Sequence, residues 1–229
     1  MLTAAELQIL GLSLKVALWG LVASLPFSIA IAFVLARKSF YGKTLFDAAV
    51  HLPLVLPPVV VGYALLVLFG TQGPIGKPLE AFGIVFAFRW TGAALAAGIM
   101  GFPLLVRAIR LAIEAVDPRL ELAARTLGAS PLRVFFTVTL PLALPGVITG
   151  GLLGFARALG EFGATITFVS NIPGETQTLP LAIYTYTQVP GADAQALRMS
   201  IFSVLLSLVA LALSEWLARR STPQDSRHA

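Results

Sequence analysis

Five apolar runs constrain this chain more than any other feature of it. Residues 9–36, 45–70, 91–113, 140–169 and 199–218 are each long enough to cross a bilayer, whose hydrocarbon core of about 30 Å needs roughly 20 apolar residues per helix. No soluble interior could take up so much apolar surface, since mean hydropathy is +0.87 with 57% hydrophobic and only 12% charged residues. The expected fold class is therefore all-α: one polytopic transmembrane helix bundle over residues 1–229, with five spans. Residues 176–189 are a sixth candidate, re-entrant or a short helix, because they are moderately apolar but follow Pro173 and Gly174 and contain Pro180. Residues 1–6 carry no basic stretch, and the first run is too long for the apolar region of a cleaved signal, so it reads as a retained helix.

Basic residues between the runs set the orientation, because the cytoplasmic side carries the excess of Lys and Arg. One side collects Arg37, Lys38 and Lys43, then Arg107, Arg110, Arg119, Arg125 and Arg133, then Arg219, Arg220 and Arg227, eleven in all, against Lys77, Arg89 and Arg198 on the other. This places the N-terminus outside and the C-terminus in the cytoplasm. The net charge of +5 is thus a matter of topology, and nucleic-acid binding is not expected, because these cations flank spans and are not interleaved with stacking aromatics. Trp90 and Trp216 fit interfacial belts, whereas Trp19 reads as deep.

Catalytic chemistry finds little to work with. The chain has no cysteine, so disulfides, iron–sulfur clusters and thiolate zinc sites are excluded together. Its two histidines, His51 and His228, are far apart in the sequence, so no metal site is expected; His51 stands at i, i+4 from Asp47 and reads as structural. There is no nucleophile with a neighbouring base, and no phosphate-cradling Gly-x-x-x-x-Gly-Lys-[Ser/Thr]. No cofactor is expected in this chain, and any ATP must be hydrolysed by a separate protein. An ion-coupled carrier or channel is the nearer rival to an ATP-driven one, although no internal repeat of the usual carrier kind is evident.

Between the third and fourth runs, residues 117–133 read as two short helices. Asp117 is a good N-cap and Pro118 suits the first helical position; Gly128 supplies a left-handed cap, and Ser130 with Pro131 restarts the chain. Leu120, Ala123, Ala124 and Leu127 share one small apolar face, with Arg119 and Glu121 projecting elsewhere. A helix of about ten residues is roughly 15 Å long and cannot span. Two readings stand: a helix lying on the membrane surface, or a knob for a cytoplasmic partner.

The string ELAARTLG (121–128), nine residues, then VTLP (138–141) resembles the EAA signature of ABC importer permeases. That family uses the segment as a coupling helix in a cleft of the ATPase subunit, which implies this role for Glu121, Ala123, Ala124, Arg125 and Gly128. Leu122 stands where the common pattern has Glu, with the acid one place earlier. Three more stretches, HLPLVLPPVVVG (51–62), LGEFGAT (159–165) and FVSNIPGETQT (168–178), look like the molybdate permeases, and the Gly-Glu-Phe-Gly element is also similar to sulfate permeases. The resemblance implies a homodimer importing molybdate across the cytoplasmic (inner) membrane of a bacterium, with tungstate and sulfate as alternatives. It also implies two ATP-binding cassette subunits inside, holding ATP and magnesium, and a substrate-binding protein outside.

Several residues inside the runs call for a physical account. Glu161 needs a partner, since an ionised group at the bilayer centre costs on the order of 3 kcal/mol. Arg157 is one turn earlier, and the pair is either structural or part of a gate. Direct contact of Glu161 with a dianion would be repulsive. Thr165, Thr167, Ser170 and Asn171 offer neutral donors suited to an oxyanion conduit, or else pack by bonding to the preceding turn. Pro53, Pro57 and Pro58 must break or kink the second run, so Pro57, Pro58 and Gly62 mark either a structural bend or a gate.

Overall fold

Helix α1 (Ala4–Arg37) begins with a reciprocal cap: the Glu6 amide donates to Thr3 Oγ1 at 3.2 Å, and the Thr3 amide donates to Glu6 Oε2 at 2.8 Å. The computed structural model describes residues 3–221; Arg227 and His228 lie outside the described residues, and so do the side chains of Arg219 and Arg220. After α1 come α2 (Lys43–Val55), α3 (Pro58–Phe69), the short α4 (Gly76–Glu80), α5 (Trp90–Ala115), α6 (Pro118–Thr126) and α7 (Pro131–Val134). A π turn (Phe135–Thr139) joins α7 to α8 (Leu140–Leu159), and α9 (Gly163–Val169), α10 (Leu179–Gln188) and α11 (Asp193–Ser221) complete the order. Among the described residues there is no strand.

Four helices are long and apolar enough to cross a membrane: α1, α5, the continuous stretch Pro131–Leu159 and α11. The second apolar run is not one straight rod. Its halves α2 and α3 are bent by 110° at Leu56 and Pro57, because Pro57 and Pro58 have no N–H to continue the ladder. The fourth run also departs from expectation. Its helix starts nine residues earlier, at Pro131, and stops at Leu159, after which Gly160–Phe162 are non-helical and α9 begins anew. The sixth candidate is settled by length: α10 has ten residues, about 15 Å, too short to span. It is tied to α1 instead, where Ser13 Oγ accepts from the Leu179 amide and donates to the Ile9 carbonyl, both at 2.7 Å.

Helix α5 is the hub, buried over 67% of its most apolar stretch against 17% to 28% in the other three spans. Its Gly and Ala face admits neighbours at backbone distance, the usual means of association where lipid removes the hydrophobic drive between helices. A Cβ on Gly20 of α1 would lie 2.7 Å from the Ala94 carbonyl oxygen of α5. Leu105, Val106, Ile109 and Ile113 of α5 then fill the space between α1 and α8. The outer faces carry Leu18, Phe27, Val59, Tyr63, Leu144, Leu205 and Leu208, all exposed, as a lipid-facing bundle requires.

Charged clips hold the ends. Arg198 of α11 donates to Glu6 Oε1 through Nε at 3.1 Å and Nη2 at 2.8 Å. Arg110 of α5 joins Asp47 of α2 at 2.9 Å and Glu114 at 2.8 Å, and His51 Nδ1 sits 3.1 Å from Asp47 Oδ1. Trp19 packs beside the start of α5: its ring is 6.4 Å from that of Trp90, the first residue of α5, and Lys15 Nζ lies 3.6 Å over the Trp90 ring. With 34 residues, about 50 Å, α1 overshoots the bilayer core, so a residue well inside its apolar run can still lie level with a helix end.

Candidate functional site

The segment 117–133 folds as its capping residues dictate. Asp117 Oδ1 accepts from the Arg119 amide at 2.9 Å, Pro118 opens α6, and Gly128 takes φ +86°. Ser130 Oγ then accepts from the Arg133 amide at 3.4 Å and Pro131 opens α7. The direction of the faces is the unexpected part. Leu120, Leu122, Ala123, Arg125, Leu127 and Gly128 are exposed and Ala124 is half-buried, whereas Glu121 is buried. An ordinary amphipathic helix turns its apolar side inward. Here the acid turns inward and the apolar residues face out, continued by Leu132 and Phe136.

The partners of Glu121 explain the inversion. Oε1 accepts from Arg37 Nε at 3.0 Å and lies 2.9 Å from Arg37 Nη2, and it accepts from Thr139 Oγ1 at 3.0 Å. Arg37 Nη2 also donates to the Val116 carbonyl at 2.8 Å. A buried charge is tolerable when it is paired and hydrogen-bonded in this way. Sequence reasoning missed Arg37, which is 84 residues away, and Thr139, which ends the π turn. The turn has a local cause: Pro141 offers no N–H to the Thr137 carbonyl and crowds it, and just before it the Leu140 amide reaches back five residues to Phe135. Beside the clip is a cavity of about 270 Å³ lined by Phe33, Arg37, Lys38, Glu121, Leu122 and Arg125.

The second region lies where the two broken runs meet. Arg157 Nη1 is 2.6 Å from Glu161 Oε2, while Glu161 Oε1 accepts from the Ala164 amide at 2.8 Å. Glu161 is only 3% exposed. Its carboxylate therefore has two duties, pairing with the end of α8 and capping the positive N-terminus of α9. Helix α3 packs directly on α9: a Cβ on Gly62 would lie 2.9 Å from both Ala164 Cα and Thr167 Cβ, and one on Gly163 would lie 2.8 Å from Pro58 Cβ.

The other sequence-selected residues divide. Pro58, Gly62 and Thr167 are brought together, and Pro57 stands at the α2–α3 bend. Thr165 is buried, and Thr167 Oγ1 donates to the Gly163 carbonyl at 2.8 Å, the helix-packing bond. Ser170 is exposed with φ +62°, a strained value for a non-glycine residue. Asn171 Nδ2 donates to Thr185 Oγ1 of α10 at 2.6 Å, and its Oδ1 is buried with no protein partner. Thr176, for which no local pattern signals a role, holds this loop by donating to the Ser170 carbonyl at 3.1 Å and accepting from the Ile172 amide at 2.9 Å.

Known proteins resemble the chain closely. The sequence profile of the family described as "Binding-protein-dependent transport system inner membrane component" matches residues 24–223. The molybdenum transport system permease protein ModB of Escherichia coli (strain K12) is 60% identical over 227 residues, 99% of each chain. That of Haemophilus influenzae is 59% identical over 216 residues, 94% of each. Among solved structures, a bacterial ABC transporter involved in the import of the acidic polysaccharide alginate matches with a TM-score of 0.74 at 18% identity, covering 96% of this chain and 80% of that one, a likeness of fold. The profile match and the near full-length identity of these relatives lead to one conclusion: the chain belongs to the family of binding-protein-dependent transport system inner membrane components.

Proposed function

We propose that this chain is the membrane-spanning subunit of an ATP-driven molybdate importer, working as a homodimer around one conduit. The observation that carries the reading is the near full-length identity of 59% to 60% with molybdenum transport permeases. The exposed apolar face of α6 supports the docking half of it. A polar-inward, apolar-outward helix at the membrane edge leaves apolar side chains for a partner to cover. Two ATP-binding cassette subunits take that position, holding ATP and magnesium, and the permease contributes no ATPase of its own. The excess of basic residues at the ends carrying Arg37, Arg119 and Arg133 supports a cytoplasmic position for this side, in a bacterial inner membrane with the substrate-binding protein on the opposite face.

In this reading Glu121, Ala123, Ala124, Arg125 and Gly128 couple to the ATPase. The α3–α9 contact, with Pro57, Pro58, Gly62, Thr165 and Thr167, forms the gate region, and Ser170 and Asn171 lie on the approach to it. Glu161 is kept from the anion by its two partners, since a free carboxylate at 4 Å would repel each unit of charge by about 4 kcal/mol at an effective dielectric of 20. The test is uptake in proteoliposomes containing this chain, its ATPase and its binding protein. Molybdate accumulation is expected to require ATP and both partners and to be competed by tungstate but not by sulfate in excess. Uptake without the ATPase subunit would make the chain a secondary carrier, competition by sulfate would assign it to the sulfate branch, and one copy per active complex would reject the dimer.

A further inference from the structure

The Arg37–Glu121–Thr139 clip joins three elements that the chain keeps apart in sequence: the last residue of α1, the first turn of α6, and the π turn that leads into α8. One carboxylate oxygen accepts from Arg37 Nε and Thr139 Oγ1, both at 3.0 Å, and lies 2.9 Å from Arg37 Nη2, in a site where Glu121 is 7% exposed. Resting on the reading of α6 as the ATPase contact, we infer that Glu121 is a positioning residue that makes α6, α1 and the π turn move as one piece. A push on the outer face of α6 then reaches two spans at once.

The geometry favours this over a stabilising role alone. Helix α6 has no large apolar residue facing inward; its leucines at 120 and 122 are exposed, so packing contributes little to holding it. The polar clip must do so. The element it grips is the one able to give, because a π turn has a wider, poorer ladder than the α-helix on either side and such turns sit where helices deform. Thr139 is buried, and its hydroxyl is committed to Glu121, so the end of the π turn cannot shift without dragging α6. Arg37 adds the second lever: its bond to the Val116 carbonyl fixes the start of the α5–α6 connection to the same guanidinium.

The experiment uses the complete transporter, with ATPase and binding protein, in nanodiscs. Two quantities are read: the amount of ATPase that co-purifies, and the stimulation of ATP turnover by molybdate-loaded binding protein, normalised to assembled complex. Glu121→Gln keeps the shape and removes the charge; it is expected to retain stoichiometric ATPase while stimulation falls at least tenfold. Thr139→Val removes only one bond and is expected to lower stimulation several-fold. Arg37→Lys, with its charge kept, should retain intermediate stimulation, and Arg37→Met should lose it. A role confined to stability would reduce the yield of complex and leave the normalised stimulation unchanged, which would overturn the inference. So would full stimulation in Thr139→Val together with either Glu121 or Arg37 variants. Ala124→Glu separates the two layers of the argument: if it leaves ATPase binding and stimulation intact, the docking assignment itself fails. If it abolishes them while Glu121→Gln behaves as wild type, only the clip is wrong.

Discussion

Replacing Arg157 by Leu and Glu161 by Gln, singly and together, isolates what the clip at the α8–α9 break contributes. Arg157→Leu leaves a carboxylate whose side chain is 2% exposed with one remaining donor, the Ala164 amide. Leaving one member of a buried pair alone costs about 3–5 kcal/mol, and this variant belongs at the upper end. Glu161→Gln keeps an acceptor for Ala164 and strands an arginine whose side chain is 28% exposed and can turn toward water, so about 1–3 kcal/mol is expected. The double variant has no stranded charge and keeps the cap; it should lose only about 1 kcal/mol, the lower worth of a neutral cap on a helix N-terminus. The coupling energy from the cycle is then about 3 kcal/mol or more, far outside the roughly 0.5 kcal/mol within which independent sites add. Denaturant unfolding of the detergent-solubilised complex measures it. Additive losses would refute the pair, and altered anion preference in Glu161→Gln would refute the claim that the clip stands apart from the conduit.

Three further outcomes follow from single contacts. Gly62→Val should abolish uptake, because its Cβ would meet Ala164 Cα and Thr167 Cβ at 2.9 Å and force α3 off α9; uptake in proteoliposomes at matched protein content decides it. Ser13→Val should destabilise by about 1–3 kcal/mol, because it leaves the buried Leu179 amide unpaired, and it should raise proteolytic cleavage near α10 before elsewhere. Thr167→Val, which removes only an intrahelical bond, should leave uptake within about twofold if its hydroxyl packs the helix, and should reduce it tenfold or more if that hydroxyl serves the anion.

What the sequence disclosed and what it concealed have different physical origins. Capping chemistry is local, so Asp117, Pro118, Gly128, Ser130 and Pro131 could be read directly, as could the bend at Pro57 and Pro58. Hydropathy is insensitive to a three-residue interruption, which is why the run 140–169 concealed the break at Gly160–Phe162 even though Glu161 lay inside it. The inward turn of Glu121 was not legible at all. The periodicity of Leu120, Ala123, Ala124 and Leu127 is correct, but a helix pattern does not say which face is inside, and the deciding partner, Arg37, is 84 positions away. Thr165, Thr167, Ser170 and Asn171 looked alike as donors; only the tertiary contacts separate a helix-packing hydroxyl from a loop amide with a vacant acceptor.

The placement of charge follows from what a bilayer allows as a means of joining helices. Lipid tails are as apolar as leucine, so burying leucine between spans gains little, and small residues with close backbone contact hold the centre, as where Gly20 of α1 meets Ala94 and Gly98 of α5. Such contacts can slide. Ion pairs cannot slide without breaking, and this chain sets them where helices end: Glu6 with Arg198, Arg110 with Asp47, Arg37 with Glu121, and Arg157 with Glu161 beside the α8–α9 break. A bundle built this way has small residues in close contact at its middle and ion pairs toward its ends. The clip at Glu121 holds α6, whose leucines are exposed, so on the reading of α6 as the ATPase contact a force applied there enters through a rigid joint and is relieved at the two helix breaks.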